Sequence, residues 1–233
     1  MTKFIGESFK RAYKFFKAAK ILRDDLEYIY DKSTDEFKLL EEIELIKNEI
    51  LKDKNGNGQM GKIRHLFGSA LSPKGLIDYY NTIIENKHKI YYINSKSVNK
   101  SSYFMEKIVG EAIGKSYDVE VYHEPLDEKR IETIIIPKLN IAMTSHIKYK
   151  ENHFKKIDIM IYMDKKILKD EDGKIKEDNE LIGSLLNKGI KCIEKAKEKH
   201  DRLEEFYVSN VDFKKIDMLK DIIIKDILKY KGK

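Results

Sequence analysis

Apolar residues recur at spacings of three and four along two stretches of the chain, one near each end, which is the pattern of amphipathic helices. The first stretch runs to Leu51 and is interrupted by a polar segment at residues 31–36. Its first half carries the apolar stripe Phe15, Ala19, Leu22, Leu26 and Ile29. The pattern predicts two consecutive helices, with Thr34 as the N-cap of the second and, in the stretch near the other end, Asn210 in the same role.

The two stretches are copies of each other. Residues 12–51 align without a gap on residues 189–228, and 12 of the 40 aligned positions are identical. The identical pairs include Ala19/Ala196, Lys20/Lys197, Asp24/Asp201, Leu26/Leu203, Glu27/Glu204, Tyr30/Tyr207 and Asp35/Asp212. We interpret the match as an internal duplication, because chance pairing at this composition gives only a few identities. Each copy is expected to form a helical hairpin that cannot bury its apolar stripe alone.

Short β-branched and aromatic runs alternate with helical patterns between the two copies. The runs that predict strands are residues 89–93, 118–123, 132–137, 140–145 and, less regularly, 157–163. Helices are expected at residues 101–115 and in part of the interval after Pro125, whereas residues 169–180 fit either a charged loop or the start of the C-terminal helix. Strands that alternate with helices favour an α/β fold with a mostly parallel sheet covered by helices.

These elements divide the chain into four parts. We expect an N-terminal helical hairpin at residues 1–52, a linker at 53–60, an α/β domain at 61–178 and a C-terminal helical hairpin at 179–233. The linker is assigned from its Gly and Asn content, which is typical of turns and loops.

The charge of the chain limits its partners. Lys and Arg number 46 and Asp and Glu number 40, so the net charge of +6 comes from two nearly balanced sets. Five of the basic residues are Arg, the residue that phosphate recognition favours, and nucleic acid is therefore not expected as a partner. No apolar run approaches the roughly 18 residues that span a bilayer, so no membrane partner is expected. The single cysteine, Cys192, fits a reducing, cytoplasmic compartment.

The segment between the first predicted strand and its helix has the layout of a phosphate-binding loop without the glycines. The pattern G-x-x-x-x-G-K-[ST] can be placed with Lys100 as the lysine and Ser101 as the hydroxyl, and its glycines then fall on Asn94 and Asn99. In such loops the lysine reaches the β- and γ-phosphates, the hydroxyl holds Mg²⁺, and the helix N-terminus contributes its dipole. The alternative is an ordinary helix start, capped by Asn99, with Lys100 in solvent. Either way, we expect the helix to begin at Lys100 or Ser101.

Three motifs of the middle region occur together in one known family. They are "HLFGSALSPKG" at residues 65–75, "DVEVYHEPLD" at 118–127 and "IIIPKLNIA" at 134–142. With the lysine–serine loop, they resemble the C-terminal half of a poorly characterised family of bacterial tandem P-loop ATPase-like proteins, and the resemblance covers most of the chain. The family carries a glycine-rich Walker A loop, in which Asn94, Ser97 and Asn99 replace three glycines here.

The resemblance implies a P-loop NTPase-like domain with ATP and Mg²⁺ as cofactors. The nucleotide would contact Asn94, Ser97, Asn99, Lys100, Ser101 and Ser102, and Mg²⁺ would bind Ser101. Thr144 and Ser145 stand where the family's Walker B acid is expected. Asp164 is therefore the first candidate for a catalytic acid, with Glu124 and Asp127 as alternatives. His65 and Lys74 are further candidates for phosphate contacts, unless their segment only turns the chain into the first helix of the domain.

Two functions follow from these patterns. In the first, the protein binds ATP or another nucleotide with weak or lost ATPase activity. In the second, it is a non-catalytic interaction or scaffold protein that acts through its helical hairpins. The hairpins are expected to pack on each other as four helices or to join two copies of the chain, and a second P-loop protein is the other expected partner.

Overall fold

The computed structural model describes residues 2–53, 58–84 and 89–230. Two helices open the chain, α1 (Thr2–Ser33) and α2 (Glu36–Ile50), and two close it, α6 (Asp172–Val208) and α7 (Phe213–Leu228). The elements between them are β1 (Ile63–Phe67), β2 (Ser69–Ser72), β3 (Gly75–Asp78), α3 (Tyr80–Ile83), β4 (Lys89–Asn94), α4 (Val98–Gly114), β5 (Val119–Glu124), β6 (Asp127–Ile136), β7 (Ile141–Thr144), β8 (Lys155–Asp158) and α5 (Lys165–Asp170).

The central sheet has six strands in the order β1-β5-β6-β7-β4-β8. Strand β6 runs antiparallel to its neighbours β5 and β7, and the other pairs are parallel. The prediction of an α/β fold with a mostly parallel sheet is therefore confirmed. Strands β2 and β3 form a separate antiparallel pair.

Helices cover both faces of the sheet. On one face, α2 and α4 form the larger core, in which Leu39, Ile43 and Ile46 of α2 are fully buried together with Phe104 and Ile108 of α4. The opposite face buries aromatic side chains against the short helix α3. Because both faces are covered, β4 and β7 consist largely of buried apolar residues, as is typical of parallel strands.

Helix α1 lies along the carboxyl edge of the sheet. Its side chains contact Glu124 at the end of β5, Arg130 near the start of β6 and the first turn of α4 after β4. It also pairs with α6 in antiparallel orientation, since Phe4 lies near Lys199 whereas Phe16 contacts Gly189. A side chain at position 189 would collide with the ring of Phe16, so glycine permits this close crossing.

The two helices of each copy are arranged differently from the predicted hairpins. Helices α1 and α2 have almost no contact with each other, and the same holds for α6 and α7. Helix α1 pairs with α6, α2 packs on the sheet, and every residue of α7 is exposed. The expected packing of two hairpins as four helices is therefore wrong for this chain.

The helix boundaries nevertheless agree with the duplication. The offset of 177 residues places the start of α2, Glu36, on the start of α7, Phe213. Both helices have an aspartate N-cap at equivalent positions: Asp35 accepts a hydrogen bond from the amide of Lys38, and Asp212 accepts one from the amide of Lys215. The predicted caps Thr34 and Asn210 are wrong by one and two residues.

Several other element predictions need correction. Strands β1, β2 and β3 were not predicted, and the interval after Pro125, expected to be partly helical, is β6. Residues 157–163 are a strand only to Asp158 and continue as a 3₁₀ turn. Helix α6 begins at Asp172, so the predicted boundary after residue 178 falls inside a helix. Residues 54–57 of the predicted linker lie outside the described residues.

In the described parts of the chain, no helix combines the length and apolar character needed to cross a membrane.

Candidate functional site: the amino end of helix α4

Helix α4 follows strand β4 after a connection of three residues. It begins at Val98, two residues before Lys100, and its N-cap is Ser97, whose hydroxyl accepts a 3.0 Å hydrogen bond from the amide of Lys100. Ser116 and Asn140 are the non-glycine residues with positive φ in the described chain, so residues 94–99 all have negative φ. The connection therefore avoids the left-handed conformations for which a phosphate-binding loop needs glycine. Strand, loop and helix occur in the predicted order, but the predicted helix start and the Asn99 cap are wrong.

A carboxylate from α1 occupies the position in front of α4. Glu27 is 2% exposed, and its two oxygens accept hydrogen bonds from the Ser97 hydroxyl at 2.6 Å, the Val98 amide at 2.9 Å and the Asn99 amide at 3.0 Å. The first-turn amides of a helix have no intrahelical acceptor and commonly bind phosphate. Here they bind a carboxylate of the same chain, which the positive end of the helix dipole also stabilises.

Two further carboxylates hold Lys100. Its ammonium lies 3.2 Å from Asp31 Oδ1 and in contact with Glu36 Oε1, and its side chain is 11% exposed. Burial alone would lower the pKa of Lys100, but hydrogen bonding and charge from Glu36 and Asp31 outweigh burial and raise that pKa above its ordinary value. The side chain of Asn99 also donates a hydrogen bond to Asp31, through Nδ2 at 3.2 Å. Lys100 is thus a charged internal partner, and the alternative that placed it in solvent is wrong.

Two of the three serines predicted at the nucleotide, Ser101 and Ser102, point into the protein. The Ser101 hydroxyl, expected at Mg²⁺, is 1% exposed and donates to the carbonyls of Ser97 and Val98. The Ser102 hydroxyl accepts from the amide of Ile131 on β6 at 2.9 Å. Both hydroxyls therefore serve the attachment and capping of α4, and neither faces the space in front of the helix.

The predicted acid Asp164 lies elsewhere. It is exposed and caps α5, accepting a 2.7 Å hydrogen bond from the amide of Lys166. The acid that stands beside β4 is Asp158, at the carboxyl end of β8, which accepts a 2.8 Å hydrogen bond from the Asn94 side chain. Burial opposes ionisation of Asp158, but hydrogen bonds from Lys156 and Asn94 lower its pKa below the ordinary value.

The alternative acids Glu124 and Asp127 bind basic residues. Arg23 of α1 donates two hydrogen bonds to Glu124, at 2.7 and 2.6 Å. Lys20 lies 3.0 Å from Asp127. Burial opposes ionisation of Asp127, but the hydrogen bond from Lys20 and neighbouring cations lower its pKa. Arg130 completes the set by binding Asp127.

Four residues of α1 spaced by three or four therefore attach it to the α/β domain. They are Lys20, Arg23, Asp24 and Glu27, which we call the charged row of α1. Asp24 contributes a 2.6 Å contact with Arg130. Spacings of three and four place all four side chains on one face of the helix.

The other predicted phosphate contacts are distant from α4. His65 lies on β1, at the opposite side of the sheet from β4, four strand positions or roughly 19 Å away. Its ring nitrogen lies 2.8 Å from that of His123, and the two rings stack. Lys74 is exposed in the turn between β2 and β3. Neither residue shares a site with Lys100.

A further, partly buried carboxylate lies on β6, away from α4. Glu132 accepts hydrogen bonds from the hydroxyls of Tyr80 at 2.7 Å and Ser69 at 3.3 Å. Burial raises the pKa of Glu132 above its ordinary value. These bonds attach the β2–β3 pair and α3 to the sheet.

Sequence reasoning missed the residues that decide the site, namely Glu27, Asp31 and Glu36. Glu27 precedes Ser97 by 70 residues, and nothing in the local pattern around either residue indicates the contact. The identity of Glu27 with Glu204 in the second copy does not indicate burial either, because the side chain of Glu204 is 58% exposed.

Comparison of the chain with protein-family models, with curated proteins and with solved structures finds no match. The resemblance to tandem P-loop proteins therefore stays an expectation from the sequence.

Proposed function

We propose that this chain is a non-catalytic interaction protein, in which a domain of P-loop type uses its anion-binding helix end to hold a helix of the same chain. The observation that carries the proposal is the carboxylate of Glu27 on the amides of Val98 and Asn99. A phosphate at this helix end would need the same amides and would lie against a buried negative charge.

The surroundings of Lys100 support the same conclusion. A phosphate-binding lysine must be free to approach the anion, whereas Lys100 already contacts Asp31 and Glu36. Breaking these contacts would leave the ammonium of Lys100, whose side chain is 11% exposed, without its two carboxylate partners. The residues present thus do not fit ATP, and the Mg²⁺ role assigned to Ser101 is lost with its buried hydroxyl.

The interaction surface in this proposal is helix α7 and the second half of α6. Large apolar side chains of α7, among them Ile216, Leu219 and Ile223, are 49–57% exposed. Such a contiguous apolar helix face is typical of a surface that binds another protein.

Isothermal titration calorimetry with ATP and ADP, each with and without Mg²⁺, tests the proposal. We expect no saturable heat from the wild-type chain up to about 1 mM nucleotide, which corresponds to about −4 kcal/mol of binding free energy. The matched variant is Lys100→Ala. Saturable binding by the wild type that Lys100→Ala abolishes would overturn the proposal and favour a nucleotide-binding protein.

A further inference from the structure

Helices α6 and α7 carry a surface that repeats six residues of the one with which α1 and α2 hold the α/β domain, while Lys220 stands where the fully buried Ile43 packs in the first copy. We call it the second-copy surface and define it by Lys197, Asp201, Glu204, Ile216, Ile223 and Ile227. The first-copy equivalents, 177 positions earlier, are Lys20, Asp24, Glu27, Leu39, Ile46 and Ile50. Five of the six pairs are identical, and the sixth exchanges leucine for isoleucine.

In the first copy, all six residues contact the α/β domain. Lys20 binds Asp127 at 3.0 Å. Asp24 binds Arg130 at 2.6 Å, and Glu27 binds the first-turn amides of α4. The three apolar members are at most 7% exposed, in the core that α2 shares with α4. The set therefore combines charge complementarity with burial of an apolar stripe.

In the second copy the same residue types face solvent. The side chains of Lys197, Asp201 and Glu204 are 55%, 48% and 58% exposed, and Lys197 binds Asp201 on its own helix at 2.6 Å. The three isoleucines of the second-copy surface are 49–63% exposed. Beside α6 lies an apolar cleft of about 750 Å³, which Lys197 and His200 help to line. The first-copy equivalents of these two residues bind the α/β domain.

We propose that the second-copy surface docks an α/β domain of another polypeptide, built like the domain that α1 and α2 hold. The docked domain presents a helix N-terminus to Glu204, a carboxylate to Lys197, a cation to Asp201, an apolar helix face to the three isoleucines and a hydrogen-bond acceptor to Lys220, which lies on the same face of α7. This inference rests on the proposed function as an interaction protein and names the class of its partner.

Differences between the copies distinguish this partner from a second copy of the chain. Asp31 and Glu36, which neutralise Lys100, correspond to Val208 and Phe213 in the second copy. A helix that carried Lys100 into this place would bury an ammonium against apolar side chains, which is costly. The docked domain therefore has an uncharged residue where this chain has Lys100.

Sedimentation velocity on mixtures of two full-length forms tests the inference. The probe carries Glu27→Lys and Ile46→Asp, which weaken the attachment of its α1 and α2 to the α/β domain, and Lys100→Met, which removes the unmatched ammonium. Its binding partner is the wild-type chain. We expect a one-to-one complex, weakened at least about tenfold when the partner carries Glu204→Lys and Ile223→Asp, and unchanged by the control Glu198→Lys on α6.

Three results overturn the inference. The first is the absence of a complex with a probe that keeps the wild-type circular dichroism. The second is a complex that Glu204→Lys and Ile223→Asp leave unchanged. The third is self-association of the wild-type chain through this surface, which would make a second copy the occupant. The nucleotide titration tests the proposed function separately, since it measures whether ATP or ADP binds at the amino end of α4 in the wild-type chain.

If the probe does not fold, a variant that carries second-copy residues in the first copy, which we call the graft, tests the inference instead. Arg23→His, Asp31→Val and Glu36→Phe replace three contact residues of the first copy with their second-copy equivalents, and Lys100→Met supplies the matching uncharged residue of α4. A folded graft in which the amide of Val98 is protected from hydrogen exchange supports the inference, because the second set then holds an α/β domain. An unfolded graft, or an unprotected amide, overturns it.

Discussion

The two copies of the helical repeat share a residue pattern and differ in what lies against them. Helix α2 buries one face in the core beside α4, whereas α7, its equivalent, is exposed along its whole length. The aspartate caps of both helices are formed alike, so the local sequence sets the helix boundaries in each copy. Burial depends instead on an α/β domain, which the first copy holds and the second does not. The comparison separates what a helix encodes by itself from what it encodes for a partner.

The largest effect is expected from truncating one isoleucine in each copy. Ile46 is 0% exposed and its equivalent Ile223 is 49% exposed. Ile46→Ala should lower the free energy of unfolding by about 4 kcal/mol, because it removes buried methyl groups and leaves a cavity. Ile223→Ala should change it by less than about 0.5 kcal/mol. Urea unfolding of the two variants measures the difference, and equal losses would mean that α7 is buried in solution.

Truncating the equivalent glutamates Glu27 and Glu204 should change the free energy of unfolding by nearly as different amounts. Glu27→Ala leaves the amides of Val98 and Asn99 and the Ser97 hydroxyl without their acceptor, so we expect a loss of about 3 kcal/mol of unfolding free energy. Glu204→Ala, the control in the second copy, should cost less than about 0.5 kcal/mol. Chemical denaturation compares them, and a Glu27→Ala chain as stable as the wild type would remove the carboxylate from its proposed role.

The attachment of α1 can be weakened at its bidentate pair. Arg23→Ala leaves the half-buried Glu124 without its two hydrogen bonds, and we expect a loss of about 2 kcal/mol. His200 is the equivalent residue of α6, and His200→Ala should have no measurable effect. Thermal unfolding of the two variants is the measurement. A larger loss from His200→Ala would reverse the comparison.

The smallest expected effect is on the pH dependence of stability at acidic pH, and it involves Asp127. The pKa of Asp127 is lowered in the folded protein because hydrogen bonding from Lys20 outweighs burial. A lowered pKa adds stability above the unfolded value of about 3.9, and this stability is lost as the pH falls through the folded pKa. Asp127→Asn should therefore remove about 1 kcal/mol at neutral pH and reduce the acid dependence of unfolding below about pH 4. An unchanged slope between pH 5 and 2 would contradict the assignment.

The sequence predicts those parts of the fold that depend on neighbouring residues. The apolar run before Asn94 and the apolar period after Ser101 suffice for β4 and α4, and the identities between the copies suffice for the duplication. Strand β1 was not predicted because it is an edge strand whose residues are mostly exposed, so its sequence lacks the alternation of a half-buried strand. The first residues of β6 were not predicted as a strand because they are charged, and charged residues usually indicate a loop. Asp127 and Arg130 are buried here only because they pair with α1.

The site could be predicted only in part. The order of strand, connection and helix follows the predicted pattern because the connection is local, although α4 begins two residues before Lys100. The binding of Glu27 to the first-turn amides of α4 could not be predicted, because Glu27 lies on a helix 70 residues earlier in the chain. An exposed glutamate and a buried one look alike in a single sequence. Only the packing of α1 across the carboxyl edge distinguishes Glu27 from Glu204.

Amide hydrogen exchange at the start of α4 tests the central claim most directly. First-turn amides lack an intrahelical acceptor, so they normally exchange fast. If Glu27 binds them, Val98 and Asn99 should exchange at least about 100-fold more slowly than Phe213 and Lys214, the first residues of the exposed helix α7, after correction for intrinsic rates. Glu27→Ala should abolish this protection. Equal rates at the starts of α4 and α7 in the wild-type chain would contradict the account.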